Sequence, residues 1–418
     1  MHSHIPDCDD SDGHDRTIEK ALEHMLANVE AVAGFDTVTT WDALDRVLYQ
    51  PVTSPLNLPP HTNSAMDGYA LDGSQLPEFG DQAFRVIGSA LAGKPFCGAV
   101  GSGECVRIMT GAVIPAGTDT VIMQEQVRRE DDRAIIGIGH RRGQNVRPAG
   151  EDLSAGDTAL PAGLLLRPSH LGLIASLGIT ELCVRRRPEV AFFSTGDELL
   201  SVGQQLSEGQ IYDSNRYALY AMLKRLNLET LDLGVVRDSR DELEHAFRTA
   251  SVSGDAIITT GGVSVGEADY VSETLAELGA VDFSTVAIKP GRPVVFGRVG
   301  AAPFFGLPGN PVSTMVAFYQ LVRPVLYRLM GRLDAEVPVL IPAISDSRIN
   351  KKPGRREYQR GILSRDADGH YRVSITGKQG SGLLRSMAVA NCFIVLSAET
   401  GSLEPGARVE VQPFSSIV

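Results

Sequence analysis

Between residues 189 and 329, short strand-like runs alternate with helical ones, and this alternation leaves few architectures open. Residues 190–193, 230–236, 256–260, 281–288 and 303–306 read as strands. Residues 213–226, 242–250, 268–278 and 314–329 read as helices, with Asp213 or Ser214 capping the first. Strands alternating with helices build a mostly parallel sheet covered by helices on both faces. Such sheets bind ligands at the carboxyl ends of their strands. Here the post-strand loops are the unusual ones: Thr195-Gly196-Asp197-Glu198, Arg237-Asp238, 261–269, Lys289-Pro290-Gly291-Arg292-Pro293, and 306–313 with Pro308, Asn310, Pro311 and Ser313.

The most pointed of these loops follows the strand 256–260. Gly261, Gly262 and Gly266 come at once, with Ser264 between them and Asp269 at the start of the next helix. A glycine turn between a strand and a helix lets backbone N–H groups approach an anion, and glycine tolerates positive φ. A carboxylate beside a phosphate implies a bridging Mg²⁺. Taken alone, the stretch fits an ordinary βα turn as well as a phosphate site.

The rest of the chain brackets this segment. Residues 1–16 carry His2, His4, Cys8, His14 and several aspartates, and read as a disordered acidic tail. Apolar positions from Ile18 to Ala33 follow helical spacing, and 41–48 and 168–177 also read as helices. Residues 17–54 and 153–187 therefore form a helical linker and dimerisation domain, interrupted by a β-rich insertion over 55–152. Strands within the insertion are expected at 84–87, 104–109 and 120–124. In it, Asn63-Ser64-Ala65-Met66-Asp67-Gly68 makes a tight turn that presents Asp67, and Arg147 shares a loop with Glu151 and Asp152. Residues 188–335 form the α/β domain, and 336–418 a C-terminal β-barrel whose basic cluster is Lys351, Lys352, Arg355, Arg356 and Arg360.

Composition excludes several classes. The 418 residues suit three or four domains at ~100–200 residues each. A net charge of −12 argues against a general nucleic-acid binder. No apolar run reaches the ~18–20 residues of a membrane span, and the N-terminus lacks a basic and apolar signal segment. Five scattered cysteines without a CxxC pair suit a reducing cytoplasm. No Ser-His-Asp or Cys-His set and no phosphate-binding GxxxxGK[ST] loop is present. The loops instead mix cations and neutral donors (Lys289, Arg292, Arg360, Ser313, Ser381) with acids (Asp67, Asp197, Glu198, Asp238, Asp269). The first set suits a tetrahedral oxyanion or phosphate, the second Mg²⁺.

In order along the chain stand NSAMDGYA (63–70), IMTGAVIP (108–115), VRPAGED (146–152), STGDEL (194–199) and IYDSN (211–215). They are followed by TGGVSVGEADY (260–270), IKPGRPV (288–294), GLPGNPVS (306–313), PGRREYQRG (353–361) and GKQGSG (377–382). Together, over about residues 17–415, they resemble the molybdopterin molybdenumtransferases of the bacterial MoeA type and the gephyrin E domain. The resemblance implies a four-domain cytoplasmic homodimer that uses Mg²⁺ to insert molybdate into adenylylated molybdopterin and release AMP. It also implies contact with the adenylyltransferase that makes this nucleotide and with recipient molybdoenzymes.

By the same resemblance, Lys289, Arg292, Pro293, Ser313, Arg360 and Ser381 match molybdate-side positions. Thr110, Arg147, Asp152, Thr195, Asp197, Gly261, Gly262, Ser264, Gly266, Pro308, Asn310 and Pro311 match substrate and nucleotide positions. Glu198, Asp238 and Asp269 match magnesium-side acids, and together with Asp67 and Lys289 they are the catalytic set. Asp67 is implied to reach the cleft from the partner subunit. This chain departs from the family pattern at Thr285, where lysine is frequent, at Arg292, where lysine is common, and at His61-Thr62, where Phe-Asp is frequent. The alternatives are a molybdopterin adenylyltransferase, which shares the central sheet, and a non-catalytic gephyrin-like scaffold.

Overall fold

A computed structural model describes residues 16–262, 270–333 and 338–416. The chain forms two compact units, one of 37–184 and one that joins the N-terminal residues up to Asp36 with 185–418.

The larger unit is built on a six-stranded sheet. Its elements are α1 (Ile18–Ala27), β1 (Glu189–Thr195), α2 (Ser214–Arg225), β2 (Glu229–Val236), α3 (Arg240–Ser253) and β3 (Ala256–Thr260), then α4 (Tyr270–Leu278), β4 (Gly279–Thr285), β5 (Ile288–Lys289), β6 (Pro293–Val299) and β7 (Ala302–Leu307). The strand order is β2-β1-β3-β7-β6-β4. The first four strands are parallel, and β6 and β4 add an antiparallel edge.

Alternation along the central strands explains the two helical layers. Ala191, Phe193, Ile257 and Phe304 share one face with Leu243 and Phe247 of α3 and Val271 and Leu275 of α4. The Phe247 ring meets Phe193 and Phe304 edge-on, at 5.4 and 5.5 Å between centroids. The intervening Phe192 faces the other way and meets Tyr220 of α2 at 6.5 Å. Successive strand residues point to opposite faces, so both layers are encoded in one run of apolar residues.

Three local expectations need correction. The apolar spacing from Ile18 predicts a helix to Ala33, but α1 stops at Ala27. The Asn28 N–H donates to Met25 O, and its side chain donates to His24 O at 2.8 Å, closing the last turn. Val29 and Val32 are buried without being helical. The predicted strand over 281–288 is broken: β4 ends at Thr285, and β5 leaves the sheet to pair with a barrel strand. The predicted helix over 314–329 begins earlier, and runs as α5 (Pro311–Ala317), a π-helical turn (Phe318–Val322) and α6 (Arg323–Leu329). Pro324 lacks an N–H, so the ladder cannot pass through it unchanged. β6 lay within a stretch not assigned to any strand.

The C-terminal strands are β8 (Ile341–Ser345), β9 (Arg356–Arg365), β10 (Tyr371–Ile375), β11 (Cys392–Leu396) and β12 (Arg408–Pro413), with α7 (Leu384–Val389) before β11. They close in the order β9-β10-β8-β12-β11 and back to β9, the expected barrel. Its core includes Val373, Cys392, Ile394 and Val411.

The smaller unit carries a six-stranded sheet and a separate cluster that unites 43–52 with 160–184, including Leu48, Leu166, Ile174 and Val184. The helix expected at 168–177 is present as Pro168–Ser176, but that expected at 41–48 is only a 3₁₀ turn, Thr40–Asp42. Its backbone is taken instead by strand-like bonds, Leu48 N to Leu164 O and Tyr49 N to Cys183 O, each 3.0 Å. These segments are thus less helical than their sequence suggests, and α1 belongs to the larger unit, where it packs against α6.

Phe247 is fully buried between two strands. Phe247→Ala should lower the unfolding free energy of the larger unit by about 3–5 kcal/mol, read as a shifted denaturation midpoint with unchanged slope.

Candidate active site

The carboxyl ends of β1, β2, β3 and β7 bring several of the singled-out loops together. Gly261, just past β3, donates its N–H to Leu307 O at 3.1 Å, and has φ +89°. A Cβ at Gly261 would lie 2.3 Å from Thr195 O, and one at Gly262 would lie 2.5 Å from Val271 Cγ2. Neither position has room for a side chain, so glycine is required for the approach.

Thr195 Oγ1 donates to Asp238 Oδ1, and the Asp238 N–H donates to Asp197 Oδ1 at 3.3 Å. The first acid loop is thereby tied to the second. Asp197 and Glu198 are exposed, and the Glu198 carboxylate folds back over Gly196. Ser264, Gly266 and Asp269 lie outside the described residues.

Across the edge, the Asn215 side chain donates to Gly309 O at 2.7 Å and holds the loop after β7. Thr314 Oγ1 donates to Pro308 O at 2.6 Å. Asn310 is the N-cap of α5 and Pro311 its first residue. The Val312 N–H donates to Ser381 O at 3.0 Å, which brings the 377–382 loop onto this helix start. Gly291 lies against Ser313, whose side chain is buried beneath that loop. Arg292, next to Gly291, is exposed, and Pro293 opens β6 opposite Thr285.

The barrel supplies the cations. Arg360 of β9 is 1% exposed; its Nε donates to Ser386 Oγ and its Nη2 to Gly380 O, each at 3.0 Å. Burial pushes its pKa down to about 10, opposed by the charge of Glu357. Lys289 is paired in register with Glu357 along the β5–β9 ladder, and its Nζ lies 3.1 Å from Glu357 Oε1.

Glu357, Lys351 and Asn215 were not among the expected site residues. A signal existed for the first: β9 carries polar residues at 356, 357, 359 and 360, on both faces, which a plain barrel wall would not.

The remaining expected residues lie in the smaller unit. Asp67 Oδ1 accepts from both the N–H and the Oγ1 of Thr110, each at 2.7 Å. These two bonds hold the Asp67 carboxyl below the usual carboxylate range. Arg147 pairs with Asn63 in a two-stranded ladder, and the Asp152 N–H donates to Leu58 O at 2.9 Å. Among the described residues no ion pair joins Arg147 to Glu151 or Asp152, its neighbours in the same loop.

Three family models match this arrangement. Residues 16–178 match the MoeA N-terminal region (domain I and II), 191–328 a probable molybdopterin binding domain, and 342–414 the MoeA C-terminal region (domain IV). A molybdopterin molybdenumtransferase of Haemophilus influenzae is 42% identical over 403 residues, covering 96% of this chain and 99% of its own. The chain belongs to the molybdopterin molybdenumtransferase family.

A further member, from Nostoc sp., is 35% identical over 95% of this chain and 92% of its own. Crystal structures of a molybdopterin biosynthesis MoeA protein from Pyrococcus horikoshii superpose with TM-scores of 0.78 and 0.82, at 31% and 27% identity, over 95% of this chain and 98–99% of theirs. Family membership makes the chain a transferase of molybdenum cofactor biosynthesis, and its full-length likeness to the transferases displaces the adenylyltransferase and scaffold readings. No helix among the described residues is long and apolar enough to cross a membrane.

Thr110→Val keeps the backbone donor to Asp67 but removes the hydroxyl. The carboxyl pKa of Asp67 should rise partway toward its ordinary value in a carbon-detected NMR titration. Because the folded value is depressed, the stability linked to Asp67 is present above the ordinary carboxyl range and is lost as pH falls through the depressed value. An unmoved midpoint would show that the Thr110 hydroxyl does not hold this carboxylate.

Proposed function

We propose that the chain inserts molybdate into adenylylated molybdopterin with release of AMP. The observation that carries this reading is the contact chain linking the acids at the β1 and β2 ends to buried Arg360. It runs from Asp238 through Thr195, Gly261, Gly309 and the 310–312 turn to Ser381 and Gly380. Acid and cation sets on one sheet edge suit a phosphoanhydride beside a second oxyanion.

In this reading Lys289 and Arg360, with Arg292, offer charge to molybdate, and the buried Ser313 and the Ser381 loop shape its neutral wall. Gly261, Gly262 and the 308–311 turn give backbone approach to the nucleotide, as Ser264 and Gly266 do by family resemblance. An oxygen of molybdate or water attacks phosphorus, the phosphoanhydride P–O bond breaks and AMP departs; the dithiolene sulfurs bind the metal as molybdate oxygen is displaced and leaves as water, taking up the thiol protons. Asp67 or Glu198 moves the proton.

Oxygen donors from Glu198 and Asp238, and by resemblance from Asp269, fit Mg²⁺, which prefers carboxylates beside phosphate. When bound, Mg²⁺ supplies charge neutralisation of the phosphoanhydride. We further infer a homodimer in which the Asp67 cluster, with Thr110, Arg147 and Asp152, serves the neighbouring copy. A cytoplasmic setting is supported by free Cys97, Cys105, Cys183 and Cys392 among the described residues. The adenylyltransferase upstream and recipient molybdoenzymes downstream are the expected partners.

Purified protein supplied with adenylylated molybdopterin, molybdate and Mg²⁺ should release AMP as metal is incorporated. Lys289→Ala and Asp238→Asn should each reduce the rate by about 10²-fold or more, the scale of losing one preorganised charge contact. Full retention of both AMP release and metal insertion by both variants would overturn the assignment.

A further inference from the structure

Glu357 is 4% exposed yet is ion-paired with a lysine. Lys289 Nζ lies 3.1 and 3.2 Å from its two carboxylate oxygens, and Gln359 Nε2 donates to Oε1 at 2.9 Å. Its charge also reaches Arg360 and Lys351. Lys351 is 5% exposed, and its ammonium donates to three backbone carbonyls, Thr400 O at 2.8 Å, Lys352 O at 3.3 Å and Ala398 O at 3.4 Å.

All three ammonium protons of Lys351 are therefore used within the fold, and it acts on its surroundings through charge alone. Burial pushes its pKa down, and Glu357 and Glu399 oppose that shift. Glu399 is exposed, so solvent screens it. The Glu357 carboxylate is in contact with Lys289, and its charge is felt by Lys351 and Arg360. The buried charges of Lys351 and Arg360 are costly to hold without a counter-ion, while Lys289, with its side chain 47% exposed, stays open to solvent. A tetrahedral dianion supplies two negative charges, while a monoanion of the same shape supplies half as many.

We propose that Glu357 and Lys351 are charge-setting positioning residues that act in opposite directions on this subsite's preference for a tetrahedral dianion over a monoanion. The inference rests on the oxyanion reading of Lys289 and Arg360 made above. Glu357 lowers the cluster charge by one and anchors Lys289, while Lys351 raises it by one from a position that cannot touch the ligand. Neither side chain needs to contact the anion to set its preference.

The test compares molybdate with perrhenate, a tetrahedral oxyanion of similar size and single charge, by equilibrium dialysis on the full chain at low ionic strength. Glu357→Gln should raise the ratio of molybdate to perrhenate affinity by about fivefold or more, and Lys351→Met should lower it by about fivefold or more, because one buried charge acts more strongly on a dianion. Glu357→Asp should keep the wild-type ratio. A purely structural role would weaken both anions together and leave the ratio in place. Either variant whose ratio stays within about twofold of wild type overturns the role of the residue it replaces, that being well below the expected Coulomb effect. Wild-type protein that binds neither anion would instead remove the oxyanion reading itself.

Discussion

The edge of the central sheet depends on how closely three backbones meet. Gly261 sits so near the end of β1 that a Cβ there would strike the Thr195 carbonyl, and a Cβ on Gly309 would stand only 3.7 Å from the Gly261 Cα. With a side chain at Gly261 the strand-end loops would part, whereas one at Gly309 would meet Gly261 at ordinary contact distance. Asp238, tethered to Thr195 by its hydroxyl, would then move away from the turn that carries Asn310 and Val312. Close packing of main chain thus comes first, and the acids and cations occupy positions that it creates.

The barrel solves a different problem, the housing of charge away from water. Arg360 is enclosed and gives its protons to Ser386 and Gly380, while Lys351 is enclosed and gives its own to carbonyls. Desolvation opposes both charges, and Glu357 offsets part of that cost for each. Asp67 shows the reverse arrangement, a carboxylate favoured by two donors from one threonine. The same chain therefore fixes charges of both signs through local hydrogen bonds made by their immediate neighbours.

Much of this was legible in the residues. The alternation from 189 to 329 predicts the parallel strands because each central strand buries both faces, as Phe192 and Phe193 do on opposite sides. The glycines of the 261 turn are equally plain, and of the two expected caps, Asp213 and Ser214, it is Asp213 that accepts from the Arg216 N–H. What failed is physical. The run 41–48 has helical spacing, yet its carbonyls and N–H groups find partners near 164 and 183, far along the chain. The run 281–288 looks like one strand because nothing local announces that Ile288 and Lys289 will pair with Arg356 and Glu357. Glu357 went unnoticed as a site residue for the same reason: its significance lies in neighbours brought from 289 and 351, and single positions do not display that.

That short β5 ladder also bears on how far the chain can be treated as separable modules. A boundary drawn near residue 336 divides a sheet domain from a barrel, since each has its own core. Yet Lys289 belongs covalently to the first and is aligned by hydrogen bonding to the second. A fragment ending before the barrel would retain every motif of the α/β sequence while its lysine lost the ladder that aims it. Grafting of the sheet alone would carry the strand-end loops but leave behind the alignment of this cation. The two cores are thus joined at this cation.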